Sequence, residues 1–460
     1  MPLIHRSLLL TVFAGPLAAQ SSAPPAMPSA DSVRAAVTLR GSDPRIPGLA
    51  VGRLVGSDAF RITQGRVRAD RPDPITASTV FEIGSISKAF TGLLLADMIL
   101  RGEVALDDPV SKYLPPGMRV PDKDGVAITL RHLTTHTSGL PRIPDNLNPK
   151  DPSDPYADYD AAHLSAFLAA HQLRRAPGVA YEYSNLGAGL LGFALATRAG
   201  VSYGELLRTR ILEPLGMKQT GVIETAAMRK NLATGHDAMG EPTAAWHLDV
   251  LAGAGAIRST LDDMLRFAAA ARDTLHGPLA RVMALAQREL FRVDSVTSVG
   301  MGWHRRTVGG HTVAWHNGGT GGFRSIVVAD AGATRAGVVL SNSANGSDAL
   351  GFYLLDASVK VPPLPAARTI VKVPAATLAQ YPGRYALSPA FAITITARDT
   401  TGLDLQATGQ PKLRLYASSP TDFFLTEVDA SITFERDAAG NVVALVLHQN
   451  GANQRAPRAP

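Results

Sequence analysis

Apolar residues follow strand spacing near both ends of the first 358 positions and helical spacing between them. Between residues 46 and 67, two β-like runs (49–54 and 59–62) flank Gly56-Ser57-Asp58, a hairpin signal. After residue 85 the spacing turns helical, with Phe90, Leu93, Leu94, Met98 and Leu100 on one pattern. Further helices are predicted at 160–172, 186–198, 203–211 and 261–272. Strand-like runs return at 299–305, 311–315, 323–329 and 336–340. This order predicts an α+β fold, an α/β sandwich. The two ends pair into one antiparallel sheet, helices cover its faces, and an all-helical subdomain fills the middle. A proline-rich connector at 359–377 leads to short alternating runs at 392–396, 422–426, 432–435 and 442–448, split by turn signals. They predict a small all-β, barrel-like domain over 378–460.

The first residues carry a different pattern. His5 and Arg6 precede an apolar run at 8–19, followed by small and polar residues. A dozen apolar residues are too few to span a bilayer but suit an export signal. The expected organisation is a signal peptide at 1–19, a linker at 20–34 and a main domain at 35–358. The protein would then be exported, periplasmic or secreted; an unstructured tail is the plainer alternative. No other segment offers 18 uninterrupted apolar residues, so no stable membrane span is expected.

Composition narrows the chemistry. The 460 residues are 45% hydrophobic and 18% charged, a globular balance long enough for two cores. The net charge of +6 is scattered, without the basic run or aromatic stripe of a nucleic-acid binder. With no cysteine, the chain has no disulfide, thiol nucleophile or Cys-ligated metal. Nothing calls for a cofactor or a metal. The oligomeric state has no signature.

Three short motifs carry candidate chemistry. In Ser85-Ile86-Ser87-Lys88, positions i and i+3 at a helix start share a face. A serine hydroxyl needs a neighbouring base, and a buried lysine with a lowered pKa is one. Alone, Ser-x-x-Lys is close to chance in this length, and a capping serine beside a surface lysine explains it equally well. In Tyr183-Ser184-Asn185, an extended segment would send the phenol and the carboxamide to one side. A packed tyrosine and a helix-capping asparagine are the bland alternative. In His316-Asn317-Gly318-Gly319, glycines between apolar strands let a ligand lie against a strand edge, or simply make a turn.

Together, in this order, the motifs resemble those of the serine β-lactamase and penicillin-binding protein superfamily, on the branch of class C β-lactamases, DD-peptidases and related esterases. Further stretches strengthen the resemblance: FEIGSISK at 81–88, ITLRHLTTHTSGLP at 128–141, EPLGMK at 213–218 and GAIRSTLDD at 255–263. YPGRY at 381–385 is similar to a segment of the lipocalin-like β-domain often appended to such hydrolases. The resemblance implies an acyl-enzyme on Ser85, proton handling by Lys88 and Tyr183, and substrate contacts from Asn185. Backbone N–H groups of Ser85 and Gly319 would form the oxyanion hole, with His316 and Gly318 lining the wall. The implied substrate is a β-lactam, a D-amino-acid peptide or a small ester. A penicillin- or peptidoglycan-binding protein with negligible turnover is the alternative.

One departure and several decoys matter. His316 stands where β-lactamases usually carry a lysine, so a fixed positive charge is missing; Arg324, eight residues on, is a candidate replacement. Gly200-Val-Ser202-Tyr-Gly204 fits the G-x-S-x-G elbow but lies between helices, and Ser202 with Glu205 reads as a capping box. His132 and His136 have zinc-like spacing without the accompanying Glu. Asp249, Asp262 and Asp263 could pose as catalytic acids, but Asp262 and Asp263 read as residues that cap or flank the helix beginning near Leu261.

Overall fold

The computed structural model describes residues 24–308, 311–346, 348–364, 369–388, 391–398, 402–410, 412–426, 430–449 and 452–459. The expected signal peptide at 1–19 lies outside the described residues.

The first sheet has eight strands: β1 (Gly48–Val55), β2 (Asp58–Gly65), β3 (Phe291–Arg292), β4 (Thr297–Val299), β5 (His304–Val308), β6 (His311–Gly319), β7 (Arg324–Asp330) and β8 (Arg335–Ser341). Their order is β2-β1-β8-β7-β6-β5-β4-β3, antiparallel throughout. The two ends of the region meet in the β1–β8 ladder, from Leu49↔Ser341 to Val55↔Arg335. Successive residues point to opposite faces, and both faces are buried. Val327, Ala336 and Val338 join one core with Leu265 and Phe267, while Val328 and Val339 join another with Val33, Val37 and Leu350.

Four helices set the layers: α1 (Ala30–Gly41), α2 (Ser87–Leu100), α3 (Asn185–Ala199) and α4 (Leu261–Arg272). α1 covers β1 and β2 and begins inside the stretch expected to be a linker, 20–34. The Ser29 hydroxyl caps it by accepting from Ser32 N, and Val33 and Val37, one turn apart, bury the helix on the sheet. α4 packs on the other face. α2 is buried over Ser87 to Met98, the mark of a helix at the centre of a domain. Phe90 of α2 stacks on Phe267 at 4.1 Å, and Phe267 on Trp303 at 5.6 Å. The strand expected at 299–305 is broken between β4 and β5. Gly302 turns the chain at φ +68°, where a Cβ would fall 2.0 Å from the Lys88 carbonyl oxygen. The helix expected at 203–211 runs over Tyr203–Leu207 and continues as a π-turn, Arg208–Leu212.

The later residues form a second sheet of eight strands in sequence order, from Gly383–Ser388 to Ala452–Pro457. Its ends approach through the Tyr385↔Arg458 bridge, and Ala459 N donates to Arg384 O at 2.7 Å, so the meander is nearly a closed barrel. It has its own core around Tyr381, Tyr385, Phe423 and Phe434. Among the described residues no helix is long and apolar enough to cross a membrane.

All three tryptophans, at 246, 303 and 315, precede the barrel, so their fluorescence reports on the first unit. Phe267→Ala is expected to destabilise that unit by about 3–5 kcal/mol, because it empties the centre of the stack. Urea unfolding followed by tryptophan emission measures it.

Candidate active site

Ser85 sits in a 3₁₀ turn, Gly84–Ile86, between the short strand Val80–Glu82 and α2. That strand pairs with Arg258–Thr260, and buried Glu82 meets Arg258 at 3.2 Å across the ladder. On its other side the turn presses against the end of β6. Gly84 has φ +50°, and a Cβ there would lie 2.6 Å from Gly319 N. A Cβ on Gly318 would lie 2.0 Å from Ile83 O. Ser325 Oγ donates to Ile83 O at 2.8 Å. Gly84 is therefore required by the approach of β6 and by its left-handed backbone.

Lys88 is the second residue of α2 and is fully buried. Its Nζ is 2.9 Å from Ser85 Oγ, 2.9 Å from Asn185 Oδ1 and 2.7 Å from Ala254 O. No carboxylate is among these partners. Burial, and secondarily the charge of Arg142, hold its pKa well below the ordinary lysine value. The neutral amine has two donors and one lone pair. The carbonyls of Asn185 and Ala254 can only accept, so they take both donors. The lone pair is left for the Ser85 O–H, the one partner that can donate.

Tyr183 and Asn185 come to the same place, as the i, i+2 spacing implied. The Ser184 hydroxyl caps α3 by accepting from Gly187 N at 2.8 Å, which fixes both neighbours. The Tyr183 ring centroid is 4.9 Å from Lys88 Nζ. Burial pushes the Tyr183 phenol up to about 12, with the adjacent Ser85 hydroxyl opposing the shift. Tyr183 therefore stays protonated near neutrality while Lys88 leans towards the free base.

Three imidazoles close the wall behind Tyr183. His136 lies 4.5 Å from its ring, His304 6.3 Å and His316 6.4 Å, centroid to centroid. Burial lowers all three, His304 to about 4, so the wall is uncharged near pH 7. His316 is fully buried; its Nδ1 donates to Asn317 O at 2.6 Å, leaving Nε2 as a buried acceptor with no hydrogen-bond partner among the described residues. His136, a zinc-ligand decoy, instead accepts from Ser184 N at 3.1 Å. His132 completes a capping box with Thr129. No metal-holding cluster occurs among the described residues.

Arg324 pairs opposite Gly319 between β6 and β7, and its Nε donates to Ala344 O at 3.0 Å. Asp348 faces its charge. Ser202 caps Tyr203–Leu207 by accepting from Glu205 N, and lines a separate cavity of about 480 Å³ without a histidine or a carboxylate base at its hydroxyl. Asp262 pairs with Arg61, and Asp263 accepts from Gln219 N and Thr220. Sequence reasoning passed over His304, the Ala254 carbonyl and Arg142. Arg142 directly follows the 128–141 stretch and places its guanidinium carbon 5.1 Å from the Tyr183 ring centroid.

A family model described as Beta-lactamase matches residues 33–359, and one described as a domain of unknown function matches 367–456. A beta-lactamase of Escherichia coli (strain K12) is 32% identical over 279 residues, covering 59% of this chain and 70% of that protein. The D-alanyl-D-alanine-carboxypeptidase/endopeptidase AmpH of the same organism is 34% identical over 233 residues, covering 48% of this chain and 56% of that protein. A solved class C beta-lactamase superposes with a TM-score of 0.63 at 24% identity, covering 72% of this chain and 96% of its own, a likeness of fold.

Gly84→Ala should destabilise the first unit by about 2–4 kcal/mol, combining left-handed strain with the clash against β6. Gly56→Ala is the control: it shares a positive φ, but nothing lies within 4 Å of its Cβ position. Its cost should be about 1 kcal/mol in the same urea titration.

Proposed function

Because the chain belongs to the beta-lactamase family and is one of its serine hydrolases, we propose that it cleaves amides or esters through an acyl-enzyme on Ser85. The observation that carries this reading is Lys88 Nζ bonded to Ser85 Oγ and to two acceptor-only carbonyls, with no carboxylate among these partners, so that its free base would turn the lone pair to the Ser85 hydroxyl. Lys88 takes the Ser85 proton as Oγ attacks the carbonyl carbon. The N–H groups of Ser85 and Gly319 receive the developing oxyanion. Tyr183, protonated and beside Ser85, gives its proton to the leaving group, and the Lys88 ammonium restores it. Asn185 holds the substrate amide. Water then attacks the acyl-enzyme by the same route in reverse.

Within the family, the uncharged wall at His316 favours D-amino-acid peptides and esters over efficient β-lactam hydrolysis. The relatives named beta-lactamase and D-alanyl-D-alanine-carboxypeptidase/endopeptidase bracket this range. Cell-wall peptides fit an exported enzyme, and the pattern of residues 5–19 supports export.

The test is turnover of a reporter penicillin, D-Ala-D-Ala peptides and p-nitrophenyl esters beside Ser85→Ala. The variant should lose covalent labelling and at least about 10³-fold in kcat. Turnover that survives in Ser85→Ala defeats the mechanism; labelling without turnover on any substrate makes the protein a binder. For an uncharged ester, kcat/KM should fall as acid protonates Lys88, with a midpoint below the ordinary lysine value. Tyr183 should add no descending limb below about pH 10. A Lys88→Arg variant should not recover the acid limb, since arginine stays charged.

A further inference from the structure

We propose that Arg142 is the anion receptor of this cleft and selects acyl donors whose leaving group carries a carboxylate. The proposal rests on the Ser85 acyl-enzyme reading and names its substrate class. The imidazoles of the cleft wall are uncharged, and Arg324 is half-buried with its Nη1 against Gly319 and, among the described residues, only its Nε hydrogen-bonded. His316, His304 and His136 are buried and neutral near pH 7, and Arg324 is held by Ala344 O and faced by Asp348. Arg142 differs from both groups. Among the described residues, its guanidinium has no hydrogen bond and no ion pair, and its side chain is exposed. Its one recorded side-chain contact is with the Tyr183 ring.

The backbone at Arg142 is nevertheless fixed. Its carbonyl accepts from Asn185 N at 2.9 Å and from Leu186 N at 3.3 Å, which ties the loop to the first turn of α3. The charge is therefore anchored beside the catalytic groups, and it acts on Lys88, His136, Tyr156, Tyr183 and Arg324. The acids near the cleft hold other partners: Glu182 takes Arg175, Asp348 accepts from Asn317, and Asp154 accepts from His247. Lys88 Nζ and Arg142 Cζ lie 4.9 and 5.1 Å from the same Tyr183 centroid. Tyr183 is the proposed donor to the leaving group. A carboxylate one or two bonds beyond the scissile bond therefore meets the free fork of Arg142, which matches it bidentately.

The experiment compares two aryl esters of one acyl group: the leaving phenol carries a meta-carboxylate in the first and none in the second. The readout is the ratio of their kcat/KM values. Arg142→Gln should lower the ratio about tenfold, chiefly through KM of the anionic ester, and Arg142→Lys should retain part of it. The wild-type ratio should also shrink as salt rises from 0.01 to 1 M. A ratio unchanged in Arg142→Gln overturns the proposal, even if both rates fall together. Ser85→Ala runs on both esters as the separate check. Turnover surviving there overturns the acyl-enzyme reading itself, whereas turnover lost there with the ratio intact in Arg142→Gln overturns only the role of Arg142.

Discussion

The site depends on a lysine amine buried without an acid. An ordinary buried lysine finds a carboxylate and remains an ammonium. Lys88 finds two carbonyls and a serine. Each comes from a different element: the 3₁₀ turn before α2 brings Ser85, α3 brings Asn185, and the turn before Arg258–Thr260 brings Ala254. Those elements must meet with an accuracy of tenths of an ångström. Much of the core serves that meeting. Ser87 Oγ accepts from Ile257 N at 3.1 Å, and Thr91 Oγ1 donates to Gly253 O at 2.8 Å, so two further residues of α2 clamp the turn that carries Ala254. Phe90, Phe267 and Trp303 lock α2 to α4 and to the β4–β5 turn.

The two proposed proton carriers separate for one physical reason acting on opposite charges. Burial disfavours whichever form is ionised. It pushes the amine of Lys88 towards neutrality and the phenol of Tyr183 also towards neutrality. Burial thus moves both groups towards the forms that the proposed proton transfers require. No metal or carboxylate is needed for that division of labour.

Much of this was legible in the sequence, and the rest was hidden for definable reasons. Ser85 with Lys88 and Tyr183 with Asn185 were readable because helix and strand periods fix which residues share a side. The antiparallel sheet was readable because strand runs lay at both ends. α1 was hidden by its Ala/Pro/Ser-rich approach, although Ser29 and the pair Val33 and Val37 were the available signal. Ala254 was unreadable in principle, since its contribution is a carbonyl oxygen that every residue has. His304 looked like the end of one long strand, and only the Gly302 turn gives it a place near Tyr183. Arg142 needed the third dimension, because only the fold brings its guanidinium over the Tyr183 ring.

The imidazole wall and Lys88 share a property with consequences for the whole chain. All four are bases whose proton is bound less tightly in the native protein than in the unfolded chain. Folding must therefore release protons, and the linkage has one sign throughout. For Lys88 the window lies between its lowered native value and the ordinary lysine range; across it, native stability grows as pH rises. For the histidines the loss sets in as pH falls below about 6.5, the unfolded-chain value. For His304 it continues to about 4. Acid thus attacks this protein from the inside as well, at the residues that line its cleft in addition to its paired carboxylates such as Asp107 and Asp108. Chemistry and acid lability are two readings of the same buried protons.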